Sequence, residues 1–84
     1  MAQQALHTDD YTLYPSPQNL HREIFLYQAF VLQPYALIDL PSLRLQGRYS
    51  LFAAYRKADG KMGQLVTFEL DVDRLRFERE FVPD

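Results

Sequence analysis

Arg48-Tyr-Ser-Leu-Phe-Ala-Ala-Tyr-Arg-Lys57, Ala58-Asp-Gly-Lys-Met-Gly63 and Gln64-Leu-Val-Thr-Phe-Glu-Leu-Asp-Val72 form the continuous stretch whose reading decides the fold. Its outer parts are rich in aromatic and β-branched residues, which suit a pleated, half-buried surface. Asp59-Gly60 between them is a hairpin signal, because both residue types tolerate the positive φ of a tight turn. With Asp59 and Gly60 as a two-residue loop, Tyr49 faces Leu70, Leu51 faces Phe68 and Ala53 faces Val66. A longer loop over 58–63 moves the pairs to Tyr49–Val72, Leu51–Leu70, Ala53–Phe68 and Tyr55–Val66. The two registers differ by two residues, so the same side chains share a face in both. Tyr49, Leu51, Val66, Phe68 and Leu70 are then the expected core, with Phe52, Ala54 and Leu65 on the outer face. Arg48 falls opposite Asp71 or Asp73. A bulge at Gly63 would disturb this count.

Moving toward the N-terminus, Ile24 to Leu32 is nearly unbroken apolar sequence. On a helical wheel these residues occupy every side, and a helix apolar all round needs burial all round. As a strand, Phe25, Tyr27, Ala29 and Val31 share one face and Ile24, Leu26, Phe30 and Leu32 the other. The strand is preferred. The competing reading is one helix at about 17–33, started by Ser16-Pro17 and stopped by Pro34. Tyr11-Thr-Leu-Tyr14 is a short strand closed by Pro15-Ser-Pro17. Residues 1–9 carry too few apolar groups to order by themselves and are expected as a disordered leader to a single β-rich domain, 10–84.

Tyr35 to Leu40, bordered by Pro34 and Pro41, reads as an edge strand. Arg74-Leu-Arg-Phe-Glu-Arg-Glu-Phe81 alternates charged and apolar residues and reads as a charged edge strand. Leu45-Gln-Gly47-Arg-Tyr49 resembles the tyrosine corner of immunoglobulin-like sandwiches, and the resemblance implies a β-sandwich. The expected fold class is therefore mainly β: a small antiparallel sheet, sandwich or barrel with a central 48–57/64–72 hairpin. The alternative is α+β, with the helix at 17–33.

Eighty-four residues hold one domain, and the twelve aromatic residues (six Tyr, six Phe) supply its large core pieces. Without cysteine there is no disulfide framework and no thiolate metal site. The N-terminus lacks the basic start and apolar run of a signal peptide, and no stretch approaches the roughly 20 apolar residues of a membrane-spanning helix. The expectation is a cytoplasmic protein that makes no membrane contact.

Charge is segregated: residues 44–61 carry Arg44, Arg48, Arg56, Lys57 and Lys61 against Asp59 alone, between two acidic arms. Adjacent strands neutralising one another explains this pattern. Glu69-x-Asp71-x-Asp73 would place three carboxylates on one strand face, suited to a basic partner surface; a straight strand cannot wrap a calcium ion. Arg48, Arg56 and Lys57 around Phe52 would form an aromatic platform among cations, the arrangement that binds single-stranded nucleic acid. The acidic overall balance argues against it, because phosphate-tracking surfaces carry net positive potential.

His7 lies in the leader beside Asp9 and Asp10, which together offer at most a loose half-site, and His21 precedes Arg22 and Glu23; a metal site needs about three or four converging ligands. No serine sits on a nucleophile elbow, and Gly47, Gly60 and Gly63 form no phosphate loop. No catalytic, cofactor-binding or metal-binding residue is expected. The expected function is a small non-enzymatic protein-interaction module (adaptor, inhibitor or self-associating β-domain) whose partner is another protein or itself. Its candidate contact residues are Arg48, Phe52, Arg56, Lys57, Glu69, Asp71 and Asp73. The second reading is a sheet-based binder of single-stranded nucleic acid.

Overall fold

The computed structural model describes residues 6–15, 23–33 and 37–81. Five antiparallel strands, β1 (Leu6–His7), β2 (Tyr11–Pro15), β3 (Tyr27–Val31), β4 (Tyr49–Arg56) and β5 (Lys61–Phe68), form one sheet of order β1-β2-β4-β5-β3. A 3-10 turn, Pro41–Leu43, precedes β4, and helix α1 (Asp71–Glu80) follows β5. The chain is mainly β, as its aromatic and β-branched runs require. Among the described residues there is one sheet with a packed helix, and no second sheet of the sandwich implied by the Leu45–Tyr49 resemblance.

The β4–β5 hairpin lies at the centre of the sheet, but its register differs from both expected ones. Arg56 pairs with Lys61, so Tyr49 faces Phe68, Leu51 faces Val66 and Ala53 faces Gln64. The loop is Lys57–Gly60, with Asp59-Gly60 in its second half rather than at its centre. Gly60 takes φ +70 and donates its N–H to the Arg56 carbonyl at 2.8 Å. The Arg56 guanidinium grips the Asp59 carboxylate at 2.7 Å, and the Lys61 N–H donates to the same carboxylate at 3.2 Å. The shift is two residues, so residues expected to share a face still share it. Ala54 pairs regularly with Gly63, and no bulge intervenes.

What was misjudged is how many faces are buried. Val66 and Phe68 pack with Ala29, Val31, Ile38, Leu40 and, from α1, Phe77. On the other face Leu13, Phe52, Ala54 and Leu65 form a second core with no exposed surface, flanked by Leu6, Tyr11 and Phe30. Phe52 is therefore interior, not outer, while Tyr49 and Leu51 are only half-buried and Leu70 is exposed. The small pair Ala54–Gly63 explains the second core. Strands lie about 4.8 Å apart, so β2 and β3 are separated by about 14 Å. Yet the Tyr11 and Phe30 rings from those two strands stack at 5.4 Å, meeting above the space that Ala54 and Gly63 leave open.

Beyond Phe68 the chain leaves the sheet. The Glu69 N–H donates to the Arg48 carbonyl, and the Leu70 carbonyl accepts from Asp73 and Arg74 to start α1. The charge alternation of 74–81 imitates a strand but also encodes helical pairs: Arg74 with Asp71 and Glu78, Arg76 with Glu80. Acids in the first turn and Arg79 in the last suit the helix dipole. Phe77 and Phe81, four residues apart, stack at 5.0 Å, and Phe77 meets Phe68 at 5.6 Å. Residues 64–72 and 74–81 are thus corrected to a strand ending at Phe68 and a helix.

Other expectations divide similarly. Residues 27–31 are strand, not helix; residues 17–22 of the competing helix lie outside the described residues. Leu6 and His7, within the expected leader, pair with Leu13 and Thr12; residues 1–5 lie outside the described residues. Residues 37–40 are not strand, although Ile38 and Leu40 are buried; residues 34–36 of that expected strand also lie outside.

Candidate functional site

The seven residues singled out from sequence do not form one surface. Arg48, just ahead of β4, is held by Glu69 at 2.9 Å and Glu23 at 3.0 Å, and lies 5.2 Å from the centre of the Phe25 ring. Its acidic partner is real but is Glu69, since Asp71 and Asp73 have turned into the helix. At the other end of β4, Arg56 pairs with Asp59 and stacks 4.6 Å above Phe30, while Lys57 Nζ donates to the Thr8 carbonyl at 2.7 Å. Phe52 lies between them and is fully buried. The Arg48 and Arg56 guanidinium groups are raised above their ordinary pKa first by hydrogen bonds to Glu69 and Asp59 respectively. The Asp59 carboxyl is correspondingly lowered, chiefly by its hydrogen bond from Arg56. Its contribution to the turn is present above the ordinary carboxylate range and is lost as pH falls through the depressed value.

Asp71 bonds Arg74 on the helix surface. Asp73 is 2 % exposed, and its two oxygens accept the Gln46 N–H at 2.9 Å and the Gly47 N–H at 2.8 Å. That carboxylate ties the approach to β4 onto α1. Each donor it satisfies would cost about 1–3 kcal/mol if left buried and unpaired. Likewise Ser50 and Thr67 hydrogen-bond each other inside the sheet, and Thr67 Oγ1 also accepts the Phe25 N–H. These polar groups serve the fold. Among the described residues no group of three acidic or histidine side chains could hold a metal ion, and no helix is long and apolar enough to cross a membrane.

With both arginines bound to carboxylates and the aromatic platform buried, fluorescence anisotropy of labelled single-stranded oligonucleotides at low salt is expected to show no saturable binding. Arg48→Ala should leave both that result and the melting temperature essentially unchanged. Binding that Arg48→Ala, Arg56→Ala and Lys57→Ala each weaken would instead show a phosphate-contacting surface.

The feature that sequence reasoning missed is the border of the sheet at β3. Of the two borders, β1 is two residues long, which itself protects an edge, whereas β3 is five. Among the described residues no strand pairs with the outer side of β3. Tyr27-Gln-Ala-Phe-Val31 has no charge, proline or glycine, and no charged residue occurs from Ile24 to Ile38. A groove of about 500 Å³ runs along residues 29–32. Phe30 and Arg56 wall it on one side, Phe77 and Glu78 of α1 and the following Phe81 on the other. Leu26 and Leu32, which bracket β3, are 80 % and 53 % exposed. The available signal was that charge-free run, whose place at the border depended on strand order.

Tyr14, Tyr55 and Met62 form another exposed apolar area on β2, β4 and β5, with Tyr55 directly opposite Met62. It lies on the sheet face that α1 covers elsewhere, and all three of its strands already have neighbours on both sides. Searches against protein-family models, curated proteins and solved structures return no match to this chain.

Proposed function

We propose that this chain is a non-enzymatic protein-interaction module that receives an extended segment of a partner along β3. The supporting observation is the five-residue, uncharged border strand with a groove beside it that is lined by apolar side chains together with Arg56 and Glu78. Strand addition uses such an edge in two ways: backbone groups supply affinity, and flanking pockets select alternate side chains. Natural edges that must stay unpaired usually carry lysine, proline or a bulge, and β3 carries none of these. Cysteine-free chains suit a reducing compartment, and the cytoplasm is the proposed location.

Panning a displayed library of random peptides against the protein tests this reading. Enriched peptides should alternate apolar residues, slow amide exchange within 27–31, and lose affinity when Leu32→Lys introduces charge at the groove. Failure to enrich, or peptides that protect the Tyr14–Tyr55–Met62 area instead, would overturn it.

A further inference from the structure

We infer that the segment β3 accepts is β3 of a second copy, paired antiparallel about a two-fold axis at Ala29; this rests on the docking edge proposed above. Chain symmetry carries the argument. Leu26 and Leu32 lie three residues either side of Ala29, so an antiparallel pairing centred there sets each Leu26 against Leu32 of the other copy. Tyr27 meets Val31, and Gln28 meets Phe30, in the same register. The exposed leucines that bracket the strand thereby cover one another, and the paired strands themselves bring no charge to the contact, because both are the same charge-free run. Such an interface is isologous and closes at two copies. Two five-stranded sheets become one sheet of ten strands, with the two α1 helices on the same face.

Area sets the expected strength. A five-residue strand is about 17 Å long, and the sheet with its helix layer is about 20 Å deep. Contact along that border buries on the order of 500 Å² per copy, about 1,000 Å² in all, the lower end of specific interfaces. The dimer should therefore be reversible, with a dissociation constant in the micromolar range.

Sedimentation equilibrium from micromolar to near-millimolar concentration tests the inference. The unmodified protein should pass from monomer to dimer. Leu26→Lys and Leu32→Glu should each weaken dimerisation at least about 10-fold, since every dimer carries two copies of the lesion. Combining Leu26→Lys with Leu32→Glu in one chain should restore it, because the two-fold sets each introduced cation opposite an introduced carboxylate. Both leucines are exposed, so at concentrations where the unmodified protein is monomeric, circular dichroism and melting temperature should be unchanged in all three variants. A monomer at every concentration, a dimer indifferent to the single changes, or single losses without rescue would each overturn the inference. A monomer that still selects peptides on β3 keeps the docking edge and removes only the second copy as its occupant.

Discussion

Gly63→Ala is expected to lower the unfolding free energy by about 3 kcal/mol, the upper end of overpacking penalties, and Gly63→Val to leave little folded protein. Gly63 is an ordinary strand residue in its backbone angles, so the cost comes from space. A Cβ there would fall on the Val31 carbonyl oxygen and 2.7 Å from Phe30 Cζ. The first of these obstacles is backbone, which can yield only by moving β3 off β5. The second is the ring that stacks with Tyr11 above the hairpin. Gly47 offers the contrast: its added Cβ would meet the Leu70 side chain at 2.8 Å and Glu69 Oε1 at 3.2 Å, both side-chain atoms of exposed residues rather than backbone. Gly47→Ala should cost less than about 1 kcal/mol. Urea titration of both variants checks the difference. Near-equal losses would show that β3 does not close over Gly63 as described. The same substitution should speed amide exchange in 27–31 ahead of the rest of the sheet, coupling this position to the docking edge.

Much of this architecture was legible from residue type. The central hairpin, strand character at 27–31 and the sharing of faces along β4 and β5 followed from two-residue alternation, which survives a two-residue register error. The helix was not legible by that rule, because Arg74–Phe81 alternates at period two while also pairing charges three and four residues apart. Only the packing of Phe77 against Phe68 decides between them, and that contact is tertiary. The second core was hidden for a related reason. Phe52, Ala54 and Leu65 looked like an apolar spot on an outer face, since nothing local indicates that Tyr11 and Phe30 from distant strands arch over them. The same absence of topology concealed the candidate site: the uncharged run from Ile24 to Ile38 was visible, but its position at the sheet border depended on strand order. Charge pairing was legible in kind rather than in identity. Arg48 found a carboxylate, but on Glu69 and Glu23, because the observed register, with Tyr49 opposite Phe68, carries Arg48 to Glu69 rather than to Asp71 or Asp73.

Phe52→Ala and Phe68→Ala should each remove about 3–5 kcal/mol of stability, a large share of what a domain of this size possesses. Both rings are fully buried, but on opposite faces of one hairpin. A half-buried antiparallel sheet loses stability from one face only. Phe68→Ala would empty the space against Phe77 and detach α1 from the sheet, so lost helical signal in circular dichroism should accompany it. Phe52→Ala would open a cavity beside Leu13 and Leu65 and leave α1 in place, so its helical signal should persist until global unfolding. Tyr55→Ala serves as the control on an exposed position of the same strand and should change stability by no more than about 0.5 kcal/mol. A loss below about 1 kcal/mol for Phe52→Ala would return that ring to the surface. It would also reopen the aromatic platform between Arg48 and Arg56 as a binding face. A full loss leaves the β3 border, rather than the hairpin face, as the proposed docking edge.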